Sequence, residues 1–306
     1  DEMSKSFSLV RWTLRSALLV LGAWLAVAPS AGAVGGFDAN RYLAPPLAID
    51  GLTMQRPVTL KAGTLGAAVV LSHADDALEG RLDSGGTSHI IEEQLWLYGF
   101  LAYGLLDRLT LHATLPIPIR QVGEAREAVG VTARLHDFAV GDLRLGARLA
   151  TPPPRLSQPY ALALDGALFI PVGSREAWAS DGKVRVQLTA LGEVLASNSI
   201  FLGGTVGVLT RPELRLAGAT TGTMLQLAAA AGYRTEEDGI RLGLEGNAQI
   251  PFAHAGASYE ILGVAKVAFL DGLHAGLGAG PGIGAGWQSP DFRVVARIGW
   301  AQPATR

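Results

Sequence analysis

The stretch Phe292 to Trp300 reads FRVVARIGW. Phe292, Val294, Ala296, Ile298 and Trp300 fall on one face of an extended chain, and Arg293, Val295, Arg297 and Gly299 fall on the other. A period of two belongs to a strand with one apolar and one mixed face, and not to a helix. The same pattern recurs outward from there. Leu143, Leu145, Ala147 and Leu149 alternate with Asp142, Arg144 and Arg148. Ile240, Leu242, Leu244, Ala248 and Ile250 lie opposite Arg241, Glu245, Asn247 and Gln249. Residues 184–194 carry Arg185, Gln187, Thr189 and Glu193 on their polar face.

Reading every such run predicts twelve strands, near 64–73, 89–105, 109–117, 140–150, 159–172, 183–195, 199–210, 221–234, 239–251, 258–270, 273–285 and 291–301. Each approaches or exceeds the roughly 9–11 residues that a tilted membrane strand needs. The composition agrees. The chain has 306 residues, 49% hydrophobic and 17% charged, with 39 glycines and no cysteine. That apolar content excludes disorder, the absent cysteines exclude a disulfide framework, and a net charge of −2 makes no case for nucleic acid.

Residues 1–33 read as a secretory signal peptide. Lys5, Arg11 and Arg15 precede the apolar run Ser16 to Pro29, which closes on Ala31-Gly32-Ala33. That run is shorter than the roughly 20 residues of a spanning helix, and no later run approaches that length. An exported apolar chain without spanning helices is expected to be all-β: a transmembrane, antiparallel, up-and-down β-barrel of about twelve strands over residues 64–301. Residues 34–63, with Pro45-Pro46, are expected to form a periplasmic leader that packs against or plugs the barrel mouth. Residues 302–306 are a tail.

The connections point the same way. Leu106 to Arg108, Ser197-Asn198, Thr235 to Asp238 and Asp271-Gly272 are tight polar turns, whereas residues 74–88, 118–139, 173–182 and 211–220 are longer. Alternating short and long links are those of a barrel with periplasmic turns and extracellular loops. Residues 152–158, a proline-rich link of middling length, are the exception. An even strand count places both termini in the periplasm. Tyr98, Phe100, Tyr103, Tyr160, Phe169, Tyr233, Tyr259, Phe269, Phe292 and Trp300 sit toward strand ends, where headgroup-level girdles are expected.

From Phe37-Asp38-Ala39-Asn40-Arg41-Tyr42 onward the chain resembles the barrel region of large OmpA-family outer-membrane proteins of Gram-negative bacteria. The further matching stretches are GLLDRL at 104–109, GDLRLGAR at 141–148, ALFIPVGSREAW at 167–178 and SPDFR at 289–293. The resemblance implies a membrane barrel, with no agreed transport substrate and no catalytic motif. It carries no peptidoglycan tether over to this chain.

Charges on the lipid face cost about 2–4 kcal/mol each at the midplane for Arg or Lys, so the strand charges are expected to face the lumen. The candidate lumen-lining residues are Asp142, Arg144, Arg148, Asp165, Arg185, Glu193, Arg241, Glu245, Glu260, Lys266, Arg293 and Arg297, seven positive and five negative. Paired, they close a narrow barrel. Solvated, they line a small channel with slight anion preference. Their near balance favours closure, because a selective pore carries a one-signed ring.

Other patterns carry less. The glycines of Gly276 to Gly286 fall on one face of a strand, with no helix following to cradle a phosphate. Histidines 73, 89, 112, 136, 254 and 274 show no ligand spacing, and His112 reads as a satisfied lumenal group between Thr110 and Thr114. Asp75, Asp76, Glu79 and Asp83 read as a solvated acidic loop before they read as a calcium site. Glu124, Arg126, Glu127, Arg134 and Asp137 read as loop charge near lipopolysaccharide. No lipid-side Ser-His pair marks an enzyme, and no cofactor or metal is expected. The expected role is therefore structural or surface-interacting, in the outer membrane. Its partners are membrane lipid, lipopolysaccharide, the barrel-assembly machinery and unidentified loop ligands. The alternative is a narrow porin-like channel for small polar solutes.

Overall fold

The computed structural model describes residues 37–81, 87–123, 138–216, 219–235, 238–252, 256–270, 272–283 and 289–303. The expected signal peptide, Asp83 and the charges of 124–137 lie outside these. Among the described residues fourteen strands form: β1 (Leu65–Arg81), β2 (Thr87–Leu106), β3 (Leu109–Val122), β4 (Leu143–Ala150), β5 (Tyr160–Ile170), β6 (Arg185–Leu195), β7 (Ile200–Leu209), β8 (Leu214–Leu216), β9 (Ala219–Thr221), β10 (Met224–Arg234), β11 (Ile240–Pro251), β12 (Ser258–Phe269), β13 (Leu273–Ile283) and β14 (Phe292–Ala301).

Twelve of them close into an antiparallel barrel, each paired to its sequence neighbour except where β7 meets β10. Closure is made by β1 against β14, in register from Gly66↔Ala301 to Asp75↔Phe292. Closing the sheet leaves no strand edge, which lipid would not tolerate. The two short strands β8 and β9 pair only with each other, inside what the sequence reads as the loop 211–220.

The period-two faces sort as the alternation demands. Leu162, Leu164, Val186, Leu188, Leu202, Val206, Leu242 and Leu244 point outward and are exposed. The aromatics divide. Tyr103, Tyr160, Tyr233, Phe269 and Trp300 are exposed on the outer wall toward the short-turn end, and Phe138, Phe252, Tyr259 and Phe292 toward the long-loop end. Tyr98, Phe100 and Phe169, expected in the girdles, instead face inward and are buried. Trp96, Tyr98 and Phe100 stack in sequence along β2, and Tyr42 meets Tyr98 edge-on.

β1 also runs further than its pattern indicates. It continues to Arg81 through register shifts near Leu78, and β2 starts at Thr87. Asp75, Asp76 and Glu79 therefore belong to a strand and not to a long loop.

Residues 37–63 do more than meet the mouth. Ala39 N–H donates to the Trp178 carbonyl in the β5–β6 link, and Gly63 N–H donates to the Gly104 carbonyl beside the β2–β3 turn. Those two contacts lie at opposite ends of the barrel, so the segment traverses the lumen. Phe37 thus lies at the long-loop end, while Ala301 bonds Gly272 at the short-turn end. The two ends of the described chain therefore lie at opposite ends of the barrel; the N-terminus itself, expected in the periplasm with the C-terminus, lies outside the described residues.

The outer face of Leu164 on β5 meets hydrocarbon in this arrangement. Leu164→Arg is expected to lower the unfolding free energy in bilayers by about 2–4 kcal/mol, read from urea titration of the refolded protein.

Candidate functional site

The lumenal segment is built to be received. It has no ladder of its own, so the peptide groups that its own turns leave unpaired need partners from the wall. Small inner-face residues of the wall make the room. A Cβ on Gly278 of β13 would come 2.7 Å from a Leu52 methyl, and one on Gly299 of β14 would come 2.8 Å from the Ala48 methyl. The glycine face of β13 is therefore a seat for Leu52.

All twelve candidate lumenal residues are buried, and each faces a partner. Arg148 lies between two carboxylates, Asp50 of the segment at 2.7 Å and Asp165 of β5 at 3.0 Å. Its second Nη donates to Gln55 Oε1 at 2.8 Å. Asp165 also faces Arg144 at 3.6 Å and accepts from His112 Nε2 at 3.1 Å, an orientation that requires that nitrogen to carry the proton.

A second group closes the short-turn end. Glu193 takes both Arg56 (2.9 Å) and Arg241 (3.0 Å), and Asp238 takes Arg56 (2.8 Å), Arg241 (3.2 Å) and Arg234 (3.4 Å). A third sits at the long-loop end. Arg185 meets Asp38 and Asp142, each at 2.9 Å, and Asp181 at 3.3 Å, while Arg211 holds Asp181 at 2.7 Å. Glu260 and Arg293 form a bidentate pair at 2.8 and 3.0 Å, with Arg293 also donating to Ser72.

The remaining three bind backbone. Glu245 accepts from the Thr53 and Met54 amides, at 2.6 and 3.0 Å. Arg297 donates to the carbonyls of Pro45, Leu47, Asp50 and Gly51, and Lys266 to those of Ile49 and Asp50. Aromatic faces add to the guanidinium contacts: Arg241 lies 3.8 Å from the Phe201 ring centre and Arg185 4.7 Å from that of Phe169.

No protein-family model matches the sequence, and no curated protein matches it. Among solved structures, an outer membrane channel from Pseudomonas putida F1 is similar at 17% identity and a TM-score of 0.61, over 80% of this chain and 97% of that one. The translocator domain of the autotransporter NalP from Neisseria meningitidis matches at 13% identity and a TM-score of 0.41, over 78% of this chain and 88% of that one. The toluene transporter TodX from Pseudomonas putida matches at 10% identity and a TM-score of 0.39, over 90% of this chain and the whole of that one. The likeness is one of fold. This chain is a closed antiparallel barrel of the outer-membrane type.

Sequence reasoning found the wall charges and missed their partners. Asp38, Asp50 and Arg56 lie in a segment without periodicity, and Asp181, Arg211 and Asp238 lie in connections. The available signal was the segment itself, where single charges are spaced through an apolar, proline-containing stretch.

Two measurements test the pairing. Arg293→Met strands a buried Glu260 and is expected to cost about 3–5 kcal/mol, most of it recovered in Arg293→Met with Glu260→Leu, as read from urea midpoints. At Asp238, in the β10–β11 turn, burial raises the carboxyl, but Arg56, Arg241 and Arg234 outweigh it and hold it at about 2, below its ordinary 3.8. Its contribution is therefore complete above pH 3.8 and lost as pH falls through about 2. Asp238→Asn is expected to reduce the loss of stability between those two pH values, measured as urea midpoint against pH.

Proposed function

We propose that this chain is an outer-membrane barrel closed at rest by its own residues 37–63, with a structural or surface-interaction role carried by its wall and loops. The observation that carries this reading is Arg148, held at once by Asp50 of the segment and Asp165 of the wall. Segment and wall share charges, so neither is satisfied without the other. Exposed aromatics at both ends of the outer wall support a membrane position. The short turns are assigned to the periplasm and the long connections to the cell exterior. The resemblance to OmpA-family barrel regions fits at the level of a barrel. Lipid, lipopolysaccharide and the barrel-assembly machinery are the partners this placement implies, and no enzymatic role is proposed.

A second reading, a narrow channel for small polar solutes, has one observation in its favour. A cavity of about 50 Å³, bordered by several amides and hydroxyls, separates the segment from β6, β7, β10 and β11. The solved relative of Pseudomonas putida F1 is described as an outer membrane channel. On this reading conduction requires the segment to shift.

Single-channel recording in planar bilayers separates the two. The refolded protein without residues 1–33 is expected to give no steady conductance, and Asp50→Asn with Arg56→Gln is expected to give stepwise openings. Steady conductance from the unaltered protein overturns the closed reading.

A further inference from the structure

The attachments of the lumenal segment are unevenly distributed. Side chains of β4, β5, β6, β11, β12 and β14 supply ion pairs or charged hydrogen bonds to the segment or to the groups that hold it. Against it β7 presents Phe201, Gly203, Thr205, Gly207 and Leu209, and β10 presents Met224, Gln226, Ala228 and Ala230. None of these is charged. The 50 Å³ cavity lies on this side.

Its lining mixes neutral polar groups with apolar ones, among them Leu43, Leu227, Ala228 and Ala248. Gln187, Thr189, Thr205, Gln226, Asn247 and Gln249 border it from the wall. Gln187 donates to Gln226 at 2.6 Å, and Gln249 donates to the Arg41 carbonyl of the segment. The Gln187 Oε1 and Thr189 Oγ1 atoms are buried and make no hydrogen bond within the protein. A buried polar atom left so is costly, and the cavity exceeds the roughly 10–15 Å³ that one water needs. Arg41, the one charged side chain bordering the cavity among the described residues, lies in the combined field of Asp38, Asp181, Arg185 and Arg211.

Apolar clusters lie above and below the cavity, each with one residue of the segment. Toward the long-loop end, Leu43 of the segment packs on Phe169, Leu209 and Met224. Toward the short-turn end, Met54 of the segment packs with Leu195, Phe201 and Ala230. A Cβ on Gly203 would lie 2.5 Å from the Met54 methyl, so the methionine fills the space that glycine leaves. Apolar constrictions of this kind gate by excluding water.

We infer that the strip of lumen along β6, β7, β10 and β11 is a hydrated chamber between two apolar gates, Leu43 and Met54, and is the route by which small uncharged polar solutes cross. The inference rests on the second, channel reading and names where a barrel closed at rest opens. Amide and hydroxyl groups replace the hydration of a polyol or a urea group by group. An ion finds no free opposite charge there to offset its desolvation.

The test is isotonic swelling of liposomes carrying the refolded protein, with glycerol and urea as probes, alongside potassium chloride conductance of the same preparation. Leu43→Ala with Met54→Ala is expected to admit glycerol about tenfold faster than the unaltered protein while salt conductance changes by less than about twofold. Adding Thr205→Trp, which fills the chamber from β7, is expected to return glycerol entry to its starting rate. Folding is checked by heat-modifiable gel migration. Salt conductance rising in step with glycerol entry overturns the inference. So does a folded double variant with no gain, or a Thr205→Trp variant with no block. Steady conductance in the unaltered protein counts against the closed reading instead. Thr205→Trp then still decides the route, by blocking that conductance or leaving it unchanged.

Discussion

A charge inside a membrane barrel has two directions to turn, and lipid excludes one of them. What remains is a narrow space in which every carboxylate and guanidinium of the wall must find a partner within reach. Arg148 shows how this is solved. Its wall partner Asp165 is shared with Arg144 and His112, so it takes a further carboxylate from Asp50 of the chain running through the lumen. Lys266 and Arg297 spend their donors on the peptide carbonyls of residues 45–51. Removing the segment would leave Arg148 short of a carboxylate and strip these two cations of acceptors. The segment is thus part of the barrel's core and not an accessory to it.

The same requirement acts in reverse. A chain with no helix and no ladder leaves amides and carbonyls that its own turns do not satisfy, and burying them without partners is costly. Glu245 collects amides at Thr53 and Met54, and Arg297 collects carbonyls on the opposite side of the segment. Wall charge and segment backbone satisfy each other. The apolar side chains between those polar fastenings, Ala48, Leu52 and Met54, need only space, and the inner-face glycines of β14, β13 and β7 supply it.

The barrel was legible because lipid on one side and a polar interior on the other impose a period of two on every spanning strand. The interior charges were legible for the same reason. Where both faces of a strand are apolar the pattern loses its meaning. On β2, Trp96, Tyr98 and Phe100 alternate with Leu95, Leu97 and Leu101, and nothing in that alternation says which set meets lipid. The inward set is chosen by Tyr42, from a segment with no period to read. The end of β1 was missed for a different reason. Beyond the bilayer a strand is free to carry Asp75 and Asp76, so polarity there no longer marks the end of pairing.

Chain order adds a constraint that contacts alone do not express. Residue 63 is followed directly by β1, and β1 is the strand that closes the barrel against β14. The segment that fills the lumen is therefore tethered to one lip of the seam that encloses it. A barrel closed around an empty interior would bury the wall cations without the carboxylates and carbonyls that answer them. Threading the segment afterwards, from the short-turn end where residue 63 adjoins β1, would carry Asp38 and Asp50 into the lumen unpaired. Closing β1 on β14 with the segment already between the walls pairs those charges as they leave water. The sequence order of a lumenal segment followed at once by the closing strand is the arrangement in which pairing and closure are a single event.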